Sequence, residues 1–189
     1  MMPRVRRCVA RWQTWCLLAL GLRERALACL DARLRAEPTD VVARASRAHV
    51  LASCGRLDAA RADLERLVRC QPSQPSGWFN LGFVLEADGH AGEAEAAFRR
   101  AIDLDPRLDQ AWYGLGLSLI RLRRWDDAAA ALRRNVELQP MNPYGWYQLA
   151  RVHVDRNDPD AARRVIRHLR QFEPRVAAQL ERETGLAAA

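Results

Sequence analysis

The chain contains no lysine; all 30 of its basic residues are arginine. That bias reads as the mark of a GC-rich genome more than of selection for function. No apolar run reaches the ~18 to 20 residues of a membrane-spanning helix. The longest candidate, Trp15 to Leu22, is stopped by Arg23-Glu24-Arg25. No Cys-x-x-Cys occurs among the five cysteines (Cys8, Cys16, Cys29, Cys54 and Cys70), and no paired histidine spacing accompanies them. The odd count and those spacings argue against a disulfide framework and against a zinc site, and for small buried thiols in a reducing compartment. There is no glycine-rich phosphate loop and no Gly-x-Ser-x-Gly elbow. None of His49, His90, His153 and His168 lies in a His-Glu-x-x-His spacing. Asp103 and Asp105, near a helix end, read as solvated surface acids. We expect no catalysis, no metal and no cofactor.

The N-terminus sets Arg4, Arg6 and Arg7 before a mildly apolar stretch, as a secretory signal does. Arg11, Gln13 and Thr14 interrupt that stretch, and no small-x-small cleavage site follows. Ala26-Leu27-Ala28-Cys29 has the look of a lipoprotein signal without the apolar run before it. The Arg-rich, acid-free stretch up to Glu24 leaves an organellar transit peptide as a second option. The expectation is a mature, cytoplasmic N-terminus, because the periodicity described next already uses these residues.

Pro38, Pro72, Pro106, Pro140 and Pro174 recur at a fixed interval of 34 residues, and Trp78, Trp112 and Trp146 share it. Further rows follow the same register. Thr14, Ala48, Gly82, Gly116 and Ala150 are all small, and Ala26, Ala60, Ala94, Ala128 and Ala162 are all alanine. Leu30, Leu64, Phe98, Leu132 and Ile166 are all large and apolar. Leu17, Leu51, Leu85 and Leu119 form an apolar row whose fifth member is His153. Small rows let antiparallel helices approach, and large rows fill the space between them. Gly21, Gly55, Gly89, Arg123 and Asn157 follow the first helix of each pair, where a left-handed residue commonly ends a helix. The proline row closes the second helix. Pro75, Pro143 and Pro159 fall in first turns, and Asp158 is placed to cap.

The spacing predicts first helices near 7–20, 41–54, 75–88, 109–122 and 143–156. Second helices follow near 23–36, 57–70, 91–104, 125–138 and 159–172. A last amphipathic helix, 175–184, would cover the apolar face left by the fifth pair.

Trp78-x-x-Leu81-Gly82-x-x-Leu85, then Ala94-x-x-x-Phe98, then Pro106 resembles the tetratricopeptide consensus, and Trp112, Leu115, Gly116, Ala128 and Pro140 repeat it. The resemblance spans about residues 7–174, in repeats near 7–40, 41–74, 75–108, 109–142 and 143–174, with 175–189 as capping helix and tail. It departs from the pattern at Ala10 and Gln13, and at Arg44 and Arg47, which stand where Trp and Leu are usual. It implies an all-α, right-handed α-solenoid of five helix-turn-helix repeats, with a concave groove lined by the first helices. It implies no one ligand.

Helical spacing on those first helices groups Phe79, Phe83, Tyr113, Leu117, Ile120, Tyr144, Tyr147 and Val154 into an apolar, aromatic stripe. Asn80 and Gln148 flank it as hydrogen-bonding partners for a peptide backbone, and Arg151 as a partner for a carboxylate. With no lysine, and with Ala45 and His49 in the early groove, the family's clamp for chaperone C-terminal carboxylates is not expected.

Net charge is +7, and the excess lies in front: residues 1–74 carry 14 Arg against 7 acids, 75–108 carry 3 against 6, and the remainder 13 against 10. A solvated face accounts for this more simply than an acidic partner does. Nucleic acid is not the expected partner, because the tryptophans are used by packing rather than interleaved with basic residues. The expected function is non-enzymatic protein–protein interaction: an adaptor, scaffold or assembly chaperone holding a partner peptide or helix. The alternatives are a repeat subunit of an enzyme complex such as a glycosyltransferase, a secretion-type chaperone, or a spacer with an empty groove. An aromatic-rich groove also lends itself to self-association.

Overall fold

A computed structural model describes Cys16, Leu17 and residues 19–186. Ten complete helices follow one another among these residues: α1 Arg23–Ala36, α2 Val41–Ser53, α3 Leu57–Cys70, α4 Pro75–Ala87, α5 Ala91–Leu104, α6 Asp109–Arg121, α7 Trp125–Leu138, α8 Pro143–Asp155, α9 Pro159–Arg170 and α10 Pro174–Thr184. The expected helix near 7–20, with Ala10 and Gln13, falls mostly outside the described residues. Elsewhere the expected bounds agree to within two residues. Two details differ. The second helix expected to reach 172 ends at Arg170, and Pro174 opens α10 at its first turn instead of merely closing α9.

The turns have local causes. Gly21, Gly55 and Gly89 have φ of 72°, 73° and 85°, and Arg123 and Asn157 adopt 58° and 57° in the same place. One row therefore ends each first helix in the left-handed region, by glycine where possible and by a strained or tolerant residue otherwise. Pro75, Pro143 and Pro159 stand in first turns, where a missing N–H costs nothing. Asp158 accepts from Ala161 N at 3.0 Å, as a cap should.

Each helix packs on its chain neighbours, so the core is one continuous seam along the stack. The first helices α4 and α6 also touch one another, whereas no two second helices make a comparable contact among the described residues. The row that draws together lies on the inner side of the curve. The turn between repeats is pinned by the tryptophan row: Trp78, Trp112 and Trp146 donate Nε1–H to the carbonyls of Pro72, Pro106 and Pro140 at 2.9, 3.0 and 2.7 Å.

Arg44 takes over this bond where tryptophan is missing, donating to the Pro38 carbonyl. Its charge and that of Arg47 converge on Asp63, 2 % exposed, on α3. Arg47 grips Asp63 through two bonds of 2.7 Å and reaches Asp31 at 2.6 Å, while Arg44 lies 3.4 Å from Asp63. Asp63 belongs to a row otherwise made of Cys29, Ala97, Ala131 and Val165. The front of the array thus replaces a Trp/Leu pair by two arginines and one compensating carboxylate.

His153 stands 4 % exposed in its leucine row, with Nδ1 lacking a hydrogen-bond partner and Asp158 3.7 Å away. Burial lowers its pKa, Arg133, Arg156 and Arg164 add to this, and Asp158 opposes it. The folded state therefore holds it neutral. Its stability contribution is complete above the ordinary histidine value of 6.5 and is lost as the pH falls below that value, because the unfolded chain then binds the extra proton. Urea unfolding at stepped pH is expected to show this decline. His153→Leu should remove the part of the decline that begins just below that value and add about 1 kcal/mol at neutral pH. An unchanged pH profile in that variant would refute the assignment.

Candidate functional site

Residues one position after the tryptophans, and those one turn before and after, share one face of each first helix by helical geometry, with Phe79, Tyr113 and Tyr147 packed on the edge of the core seam. On α4, α6 and α8 these are the predicted stripe residues. The structure gathers Phe79, Phe83, Tyr113, Leu117 and Tyr144 around one cavity of about 240 Å³. Phe83 and Tyr144 are 59 % and 70 % exposed. Phe79 is half-buried and tilts against the core ring of Phe98 at 6.1 Å, so it forms the floor of the cavity rather than its rim. Leu117, Ile120, Gln148 and Arg151 line a second notch of about 460 Å³ beside it, with Glu86, Arg121 and Asp155. Glu86 and Arg121 are paired at 2.7 Å. Asn80 and Val154 line neither recess.

Tyr147 is engaged differently. Its hydroxyl donates to Glu183 of α10 at 2.5 Å, and Arg151 lies 5.9 Å from its ring centre. The Glu183 carboxylate raises the Tyr147 pKa and is itself lowered by the bond. The capping helix therefore holds this end of the stripe. Burial raises the Tyr113 phenol in the same direction, opposed by Gln148. Both phenols are neutral at physiological pH, and Tyr147 donates to Glu183.

Sequence reasoning missed part of the cavity wall. Phe98 reaches it because Gly82 and Gly114 leave room: a β-carbon on either would fall 2.8 or 2.4 Å from the Phe98 ring. Asn135, on the second helix α7, also lines it. Asn135 Nδ2 donates to the Asp109 carbonyl at 2.9 Å, and its Oδ1 is buried without a partner. The row of Asn135 otherwise holds Arg33, Leu67, Ala101 and Leu169, and the residue ten further on is glycine only after Leu67 and Asn135. Leu67 faces Gly77 and Asn135 faces Gly145, while Ala101 is followed by Ala111.

A stack of paired helices packed each on its chain neighbours is an α-solenoid of helical repeats. The tetratricopeptide repeat model matches residues 17–75 and 79–143, and a second tetratricopeptide repeat model matches 143–168. The chain belongs to the tetratricopeptide repeat family. The ten helices of the described residues fit about five repeats plus a cap, and the fold is that of a protein-interaction module. None of the curated proteins matches the sequence. Among solved structures, MamA residues 41 to the end from Desulfovibrio magneticus RS-1 is 20 % identical with a TM-score of 0.79, covering 93 % of this chain and 94 % of that one. YrrB, described as having an unusual peptide-binding site, is 19 % identical with a TM-score of 0.77, covering 89 % and 88 %. A thermophilic repeat protein from Thermus thermophilus is 21 % identical with a TM-score of 0.65, covering 92 % and 94 %. At these identities the likeness is one of fold. Among the described residues no helix is long and apolar enough to cross a membrane.

Proposed function

We propose that this chain is a non-enzymatic adaptor or assembly factor that holds an extended segment or short helix of another protein on the inner row of α4, α6 and α8. The carrying observation is the aromatic cavity of about 240 Å³ with Phe83 and Tyr144 left open at its mouth. Large exposed aromatics cost a folded chain solvent contact and are retained where a partner covers them. YrrB's peptide-binding site lends the reading support by analogy of fold.

Phe83 and Tyr144 are the discriminating pair, because neither is buried. Phe83→Ala with Tyr144→Ala should change the unfolding free energy by less than about 1 kcal/mol. Affinity capture from native lysate, followed by titration of the captured partner, should show binding weakened at least tenfold, since anchors of this kind contribute about 2 kcal/mol or more. Undiminished capture of the same partner by the double variant would sink the groove assignment.

A further inference from the structure

We propose that a recess between α1, α2 and α3 binds a phosphate monoester dianion. The site is separate from the aromatic cavity, so its failure leaves the groove reading untouched.

Arg35 of α1, Arg44 and Arg47 of α2 and Arg66 of α3 line one cavity of about 240 Å³, with Asp31 as its one acid. One period on, the same positions hold Arg69, Trp78, Leu81 and Arg100. Two periods on they hold Asp103, Trp112, Leu115 and Arg134. In no other period are all four arginine, so this recess belongs to the front of the array alone.

Two of the four arginines build the floor. Arg44 and Arg47 share the buried Asp63, and Arg47 also holds Asp31 at 2.6 Å. Asp31 is thereby turned onto Arg47. Arg47 is half-buried and spends three of its five N–H groups on these bonds, which leaves two. The other two arginines are unengaged. Arg35 and Arg66 are exposed, and neither side chain has a hydrogen bond or an ion pair among the described residues. Beside them, Arg33 and Asp40 answer each other. Four arginines against Asp31 and Asp63 leave two positive charges over, and both sit at the mouth of one recess.

That surplus selects the ligand. A carboxylate brings one charge and two oxygens, which fill one guanidinium fork. A phosphate monoester brings a charge of about −1.5 to −2 at neutral pH and three acceptor oxygens. Two forks from separate helices can share those oxygens with the free N–H groups of Arg47. A nucleic-acid diester carries a single charge, and no aromatic ring lines the recess to stack a base.

The test is isothermal titration of the full chain at constant ionic strength. One probe is inorganic phosphate; the other is a capped peptide with one phosphoserine among alanines. Both should bind, and peptides with serine or glutamate in that place should not. Arg35→Gln with Arg66→Gln should weaken both probes at least about tenfold, because two charge-assisted contacts are lost. Neither side chain has a partner in the fold, so the melting temperature should stay unchanged. Arg100→Gln with Arg107→Gln removes the same charge from exposed positions outside the recess and should bind as the wild type does. Tighter binding of the phosphopeptide than of phosphate supports the site and assigns the group to a phosphorylated partner. Equal affinity supports the site and assigns it to the free anion. Undiminished binding by the Arg35/Arg66 variant, an equal loss in the control, or no binding of either probe reduces the arginines to a solvated charged face and overturns the site. A glutamate peptide that binds as tightly as the phosphopeptide overturns the dianion. A single-stranded oligonucleotide that binds more tightly, with the same dependence on Arg35 and Arg66, overturns the monoester.

Discussion

Asp63→Ala should destabilise the protein by about 3 kcal/mol in urea unfolding followed by circular dichroism. Removing one member of a buried ion cluster leaves the others charged and desolvated, which is where such large losses originate. Here the abandoned members are Arg44, 8 % exposed, and Arg47, half-buried and then reduced to Asp31 alone. The local design makes a rescue available. Arg44→Trp, Arg47→Leu and Asp63→Ala together restore the residue types that the later repeats use in these rows. The triple variant should fall within about 1 kcal/mol of the wild type or exceed it, because a well-packed apolar replacement of a buried ion cluster is often neutral or stabilising. A loss below about 1 kcal/mol for Asp63→Ala alone would mean that the arginines are effectively solvated and the cluster contributes no more than a surface pair.

Phe98→Ala should cost about 3 to 5 kcal/mol, the range for emptying the site of a buried aromatic ring. Phe98 is among the largest fully buried side chains of the described residues and is clamped between two glycines on successive first helices. Gly114→Ala attacks the same contact from the other side. Its β-carbon would meet the Phe98 ring at 2.4 Å, so about 1 to 3 kcal/mol of overpacking is expected despite the better helix propensity of alanine. Phe98→Leu, the residue found in this row at Leu30, Leu64 and Leu132, should relieve that overpacking in the double variant. A double-mutant cycle in urea measures the coupling directly. Additive losses in the cycle would show that the backbone of α6 shifts freely and that the two residues do not share one space.

The helices themselves were legible because their causes are local. A glycine or Asn row after each first helix, prolines in first turns and a period of 34 residues mark ends that need no long-range information. The aromatic stripe was legible in part for the same reason, since helical spacing alone puts Phe79, Tyr113 and Tyr147 in one row. Spacing could not say which of them stays open. Phe79 leans on Phe98 from the next helix, and Tyr147 is held by Glu183, 36 residues further on, so of the stripe's aromatic residues Phe83 and Tyr144 keep the open faces.

Arg44 and Arg47 read as departures from the family pattern, and in sequence terms they are. Tertiary structure turns them into a substitute, because Asp63 lies 19 and 16 residues away on a different helix and can answer them only once α2 and α3 pack. Asn135 behaves in the same way: its amide bridges to Asp109 and rests over Gly145, on helices before and after its own. Sequence by itself determined the all-helical repeat, its period and its family, since short-range backbone preferences repeated in register suffice for that. Tertiary structure decided which aromatics are free, Phe83 and Tyr144, and which charges are buried together, Arg44, Arg47 and Asp63. Those facts depend on residues from separate helices arriving in one place, and helical spacing carries no information about partners across a helix boundary.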